Sequence, residues 1–298
     1  MEHIDGLSIL IPVYNRLVGL LINQLINQAT DWPGPVEIRL LDDGSAEEYR
    51  RQNRSLAERQ NVIYQEHTQN VGRAAIRNQL AQAAKYEWLL LLDNDSLLPD
   101  AQFLARYAAA REKASVLIGG TCYEAAPPPD PALHLRWRYG QAREARPAAT
   151  RQTVPYAQLT INNALLRAEV LHRYPLDERL TGYGHEDTKF GVELAAGRVS
   201  VLHVDNPVLH DGLEPAATFL AKSEQAVRNL ARVYQEDGLG TESRLLQTAL
   251  RLRRLGLAPV ARASLKLLAP SLRRNLLSAQ PSLRQLDLLK LHWLLPLL

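Results

Sequence analysis

Cysteine is nearly absent: Cys122 stands alone among 298 residues. No disulfide can close within the chain, and a reducing compartment is implied. The other reading of such a residue is a small buried apolar group. Long apolar runs are missing too, and none approaches the ~18 residues that cross a bilayer. The amino terminus, MEHIDGLSIL, lacks the positive region and long apolar segment of a signal peptide. Net charge is scarce as well, +3 from 35 Lys/Arg against 32 Asp/Glu, too little to argue for a nucleic-acid partner. These absences point to a cytoplasmic protein, touching a membrane, if at all, from that side.

What the chain does have is apolar material, 46% of its residues, ample for a packed core. Its charge is unevenly placed. From Thr241 to Leu298 there are ten Lys/Arg and two acids, a local net of +8, which leaves −5 for the first 240 residues. An acidic body with a basic tail suggests that the tail meets something anionic.

Short runs rich in leucine and β-branched residues, LSILIPV, VEIRLLDDGS, NVIYQEH and EWLLLLDND, alternate with helical periodicity from Leu17 to Gln28, from Ala46 to Arg59 and through GRAAIRNQLAQAAK. Such alternation predicts an α/β fold, a mostly parallel sheet with helices on both faces, whose strands are apolar on both sides. A helix near Asp100 to Lys113 and a strand in SVLIGGTCYE follow. Regularity lapses from Ala125 to Arg151, read as a long loop or flap. Strand and helix resume in YAQLTINNALLRAEV, and GYGHED opens another helix. Pro259, Pro270 and Pro281 recur every eleven residues near the carboxyl end. Proline suits a first helical turn and breaks an interior, so several short helices are predicted there. The division expected is 1–215 for a catalytic domain and 216–298 for a helical, basic extension.

In open parallel sheets ligands gather beyond the carboxyl ends of strands, and PVYN, DDGS and DND all occupy such ends. Asp93 and Asp95, two apart, would point to one side of an extended backbone. Their hard oxygens suit Mg²⁺ or Mn²⁺. The alternative is one helix-capping and one solvated aspartate.

The ordered set ILIPVYN, LLDDGS, NVGRAAIRN, LLLLDNDSLLPD and GYGHED, spread from about Leu7 to Gly212, resembles glycosyltransferase family 2, the inverting nucleotide-sugar transferases of GT-A fold. The basic tail lies outside the resemblance. The resemblance implies that Pro12 and Tyr14 pack on a nucleobase and that Asp43 accepts a hydrogen bond from its imide, favouring uracil or thymine. It places Gly72, Arg77, Asp93 and Asn94 around the donor nucleotide, with Arg73 a further candidate for the diphosphate. It makes Asp95, Asp93 and His210 ligands of Mn²⁺ or Mg²⁺, with His203 a rival read as a core histidine. It makes Asp187 the general base, and Glu186 and Tyr183 acceptor contacts. Each has a plainer reading: a half-buried aromatic for Tyr14, a solvated basic face for Arg73, first-turn helix acids for Glu186 and Asp187. Asp42 and Ser45 read as turn formers and caps.

The reading reached is a metal-dependent glycosyltransferase, moving a sugar from a UDP-sugar to a hydroxyl of a glycan or lipid-linked saccharide in polysaccharide biosynthesis. Two alternatives are a nucleotidyltransferase, which calls for a glycine- and lysine-rich phosphate loop where PVYNRLVG stands, and a non-catalytic nucleotide-sugar binding module. In RLLQTALRLRRLGL, Leu245, Ala249 and Leu252 share one face while Arg244, Arg251 and Arg254 share another. That segment would lie on anionic lipid as a peripheral membrane contact, pack on the catalytic domain, or form a homodimer.

Overall fold

A computed structural model of the chain describes residues 4–179, 184 and 186–298. Its strands are β1 (Ile4–Val13), β2 (Val36–Asp42), β3 (Val62–Glu66), β4 (Tyr86–Leu92), β5 (Ser96–Leu97), β6 (Val116–Ile118), β7 (Thr121–Cys122), β8 (Asn163–Arg167), β9 (Val201–His203) and β10 (Val208–His210). Its helices are α1 (Gly19–Gln28), α2 (Glu47–Asn53), α3 (Arg73–Ala83), α4 (Phe103–Ala110), α5 (His134–Tyr139), α6 (Ala148–Gln152), α7 (Ala168–Arg173), α8 (Glu186–Ala196), α9 (Ala216–Asp237), α10 (Arg244–Arg254), α11 (Ala258–Leu276) and α12 (Leu283–Leu294).

Seven strands form one sheet in the order β3-β2-β1-β4-β8-β6-β9. β1 to β4 run parallel and β8 runs antiparallel to both neighbours. The sequence runs that looked uniformly apolar resolve into two alternating sets. Leu7, Ile9, Ile11 and Val13 of β1, with Trp88, Leu90 and Leu92 of β4, face α1 and α4 through Leu21, Ile22, Phe103 and Tyr107. Leu10, Leu89 and Leu91 face the opposite way, onto Ala74 and Leu80 of α3 and Phe190 and Leu194 of α8. Helices thus cover both faces, and period-2 side-chain alternation needs no polar residue on either. Each fully buried leucine contributes about 1.5–3 kcal/mol of transfer free energy.

Because β1 lies between β2 and β4, with connections leaving in opposite directions, the loops after Val13, Asp42 and Leu92 open side by side. This is the switch point where α/β sheets take ligands. A second, three-stranded sheet, β5-β10-β7, stands beyond β4. There β10 pairs antiparallel with β5, His210 opposite Ser96, and parallel with β7, Leu209 opposite Cys122.

The chain divides into two compact units. Of the described residues, one comprises 4–122, 145–179 and 186–212; the other comprises 123–144, 184 and 213–298. The second has its own core, including Leu135, Phe219, Leu230, Leu246, Leu276, Leu289 and Leu294. Two local expectations fail here. Ala125–Arg151 is not a structureless flap: it carries a 3₁₀ turn at Pro131–Leu133, α5, a π-helical turn at Gly140–Glu144 and α6. These pieces are too short to show a 3.6-residue period, and Leu135, the anchor of α5, is a single fully buried residue. Likewise Pro270 does not start a helix; it lies inside the 19-residue α11. An interior proline costs a helix ~3 kcal/mol. Burial of Leu265, Leu272 and Leu276 on either side of it offsets that loss. Pro259, by contrast, sits in the first turn of α11 as read from the sequence.

Candidate active site

β1 and β2 end in register, Val13 beside Asp42, so PVYN and DDGS become one surface. The Asp43 amide donates to the Val13 carbonyl at 2.8 Å. The Asn15 N–H donates to Ser45 Oγ at 2.8 Å, and Asn15 Oδ1 accepts from the Ala46 N–H at 2.8 Å. Ser45 is therefore a latch between the two loops. It does not cap α2: the N-cap position is Ala46, whose own side chain makes no capping bond. Asp42 is buried and closes the turn by accepting the Ser45 N–H at 2.7 Å. Above this latch Tyr14 is half exposed, at 51%, and Pro12 is half buried.

The Asp43 carboxylate accepts the N–H of Val71 at 2.6 Å and of Gly72 at 3.3 Å. Gly72 has φ +96°, a conformation that L side chains rarely adopt. The loop before α3 is thereby folded onto the end of β2. Each carboxylate oxygen retains a second lone pair for another donor.

From α3 two arginines, four residues apart on one face, reach the end of β4. Arg77, 2% exposed, donates Nη2 to Asp93 Oδ1 and Nη1 to the Arg73 carbonyl at 3.0 Å. Arg73 donates Nε to Glu186 Oε1 at 3.0 Å and sets Nη2 3.5 Å from Asp93 Oδ2. Asp93 is thus held by two guanidinium groups, and one of them also carries the first acid of α8. Asn94 donates to the Tyr14 carbonyl at 3.4 Å, tying the β4 loop to the β1 loop.

Asp95 faces elsewhere. Backbone pairing of β5 with β10 brings His210 Nδ1 to 3.5 Å from Asp95 Oδ2, and the Asp211 N–H donates to the Asp95 carbonyl at 2.8 Å. At Gly212 a Cβ would stand 2.5 Å from Asp95 Oδ2, so only glycine lets this strand end pass the carboxylate. Burial works to raise the Asp95 carboxyl. The hydrogen bond and charge of His210, with Arg16 and Arg73 behind them, override it and bring the group down to about 2. A carboxylate fixed in its ionised form beside an imidazole is a pair of hard donors suited to Mn²⁺ or Mg²⁺. Among the described residues no third His, Cys, Asp or Glu joins them to make a cluster of three. His203 is not part of this set. It is buried, Nδ1 2.6 Å from Arg151 Nη1 and Nε2 2.9 Å from the Pro155 carbonyl.

Glu186 and Asp187 form the first turn of α8, where the helix dipole favours anions. Asp187 nonetheless keeps a fully enclosed Oδ1 with no hydrogen-bond partner among the described residues. Burial foremost, then the charge of Glu186, pushes its carboxyl up from 3.8 to about 7, against the pull of Arg77 and Arg73. Tyr183 lies outside the described residues.

Three participants had weak or no individual signal in the sequence. Arg16 donates to the Asp211 carbonyl at 2.8 Å and its Oδ2 at 2.6 Å. Asn15 makes the latch, and Arg73 bridges two acids. The first two follow Tyr14, Asn15 as the last residue of PVYN and Arg16 next to it, and that proximity was the clue to them.

Residues 8–173, more than half of the chain, match the family described as Glycosyl transferase family 2. The chain belongs to that family. It is a glycosyltransferase with a mostly parallel GT-A-type sheet and a helical carboxyl-terminal region. Chondroitin synthase of Escherichia coli is 34% identical to this glycosyltransferase over 107 residues, which are 35% of this chain and only 15% of the synthase. Among solved structures, mannosyltransferase PcManGT from Pyrobaculum calidifontis, in complex with GDP-Man and Mn²⁺, is 17% identical with a TM-score of 0.56, covering 89% of this chain and 75% of its own. S. aureus TarS 1–349 in complex with UDP is 16% identical with a TM-score of 0.51, covering 96% and 89%.

Proposed function

We propose that this glycosyltransferase moves a sugar from a nucleoside diphosphate, UDP being the best fit, to a hydroxyl of a glycan or lipid-linked saccharide, with inversion at the anomeric carbon. The observation that carries this reading is Asp187: a carboxylate with an enclosed, unpartnered oxygen, joined through Glu186 and Arg73 to the acids that end β4. A general base works best with a pKa near the operating pH, and burial has moved Asp187 there.

The nucleobase would lie on Tyr14 and Pro12. A free lone pair of Asp43 would accept the imide N–H of uracil, which cytosine lacks. Asn94 and Arg77 would hold the loop that meets ribose and diphosphate, with Asp93 fixed between the arginines. Asp95 and His210 would hold Mn²⁺ or Mg²⁺, with water and phosphate oxygens completing the shell as is usual for such ions. When bound, the cation supplies Lewis-acid neutralisation of the departing diphosphate. Mn²⁺ in one structural neighbour, there with GDP-Man, supports the ion, and UDP in the other supports the nucleotide. Asp187 would take the proton of the acceptor hydroxyl, while Glu186, oriented by Arg73, would position that hydroxyl.

Asp187→Asn tests the reading. Transfer should fall by about 10²–10⁴-fold with donor affinity nearly unchanged. Turnover close to wild type would remove Asp187 from the mechanism.

A further inference from the structure

The second unit carries an apolar surface outside its own core. The apolar side of α10 is spoken for: Leu246 and Ala249 are fully buried in that unit's core. The outer side of the α10–α11 junction is different. Leu255, Leu257, Val260 and Leu267 are 58%, 48%, 65% and 83% exposed. Val260 and Leu267 are seven residues apart, two turns of α11, and so fall on one stripe. Four large aliphatic side chains left in water in succession mark a contact surface.

Charge surrounds this stripe. No acidic residue occurs from Ser243 to Leu283, while Arg244, Arg251, Arg253, Arg254, Arg262, Lys266, Arg273 and Arg274 do. Arg273 reaches Glu224 of α9 at 3.6 Å, and Arg253 donates to the Leu298 carbonyl. The other six form no ion pair among the described residues. Arg244, Arg251 and Arg254 also line one concavity with Gln247 and Thr248, and Leu255 follows Arg254 in the chain.

We propose that the α10–α11 turn and the outer face of α11 are a docking surface for an anionic lipid bilayer. Leu255, Leu257, Val260 and Leu267 enter the acyl boundary, and headgroup phosphates sit against the Arg244–Arg251–Arg254 concavity. Apolar residues flanked by cations are what an interfacial helix needs, and no described helix is long and apolar enough to span instead. A second copy of the chain fits worse. A symmetric dimer through this stripe would press one basic surface against its own image.

Co-sedimentation of the full chain with phosphatidylcholine vesicles, with and without phosphatidylglycerol, tests this. Binding is expected only to the anionic vesicles and should weaken with added salt. Leu267→Asp should lower partitioning at least tenfold, and each of Arg251→Gln and Arg254→Gln about fivefold. These side chains are exposed, so far-UV circular dichroism and melting temperature should stay at wild-type values. Equal binding to neutral and anionic vesicles, or to neither, would overturn the proposal. So would a soluble dimer in vesicle-free sedimentation that Leu267→Asp dissociates, or inorganic phosphate displacing nothing from vesicles yet stabilising the protein through the arginines.

Discussion

Asp187 and Arg77 show how much one side chain decides here, and why. The Asp187 carboxyl is raised from 3.8 to about 7, which has two consequences of opposite sign. The role of base proposed for Asp187 needs the ionised form, so transfer by the wild type should decline as pH falls through about 7. For stability the neutral form is favoured in the fold. That contribution is fully present below the unfolded value, near 4, and is lost as pH rises through about 7. Asp187→Asn should therefore melt higher than wild type at pH 8, the gap closing as pH is lowered toward 4. A melting curve series checks this without any substrate. Arg77 is the converse case, a buried cation paired with Asp93. Arg77→Met should destabilise in denaturant titration by less than the about 3–5 kcal/mol of a fully stranded buried charge, since Arg73 still faces Asp93. Asp43, Asp93 and Asp95 were readable in the sequence because they follow apolar runs, whereas Asp187 was marked only by the family resemblance of GYGHED. The Asn15–Ser45 latch was not, because it joins residues thirty positions apart that only the β1–β2 register brings together.

At the scale of elements, the alternation of apolar runs and helical periods was enough to place β1 to β4 and the helices between them. Each segment there is long enough to display its period, and both faces are buried. The region from Tyr123 to Gln152 hid its helices, none longer than six residues. Pro270 misled because tertiary packing outweighs a local penalty. Pro270→Ala should raise the stability of the protein by about 1–3 kcal/mol, read from its melting transition. The short β5–β10 pairing matters more for chemistry. It alone aligns Asp95 with His210, and it passes the carboxylate through Gly212. Gly212→Ala should weaken Mn²⁺ affinity roughly 10–100-fold, the range seen when groups supporting metal ligands are disturbed. Metal titration by calorimetry, with UDP present, measures it.

For the molecule as a whole, occupancy of the donor site is itself a stability effect. A nucleotide sugar at a hundred times its dissociation constant adds about 2.7 kcal/mol, a shift on the order of 5 °C for a chain of this size. A thermal-shift panel of UDP-, GDP- and CMP-sugars with Mn²⁺ should single out UDP compounds, and chelation should abolish the shift. The charge asymmetry between body and tail was visible in composition alone. Its assignment to the junction of α10 and α11, outside the buried face of α10, required knowing which leucines are covered.

Cys122 returns in a different light. As the lone thiol, half buried on β7 and paired with Leu209 one step from His210, it is a reporter already installed beside the proposed ion site. A nitroxide or fluorophore attached there, with no engineering of the sequence, would register paramagnetic Mn²⁺ arriving next door and separate ion entry from nucleotide entry in time.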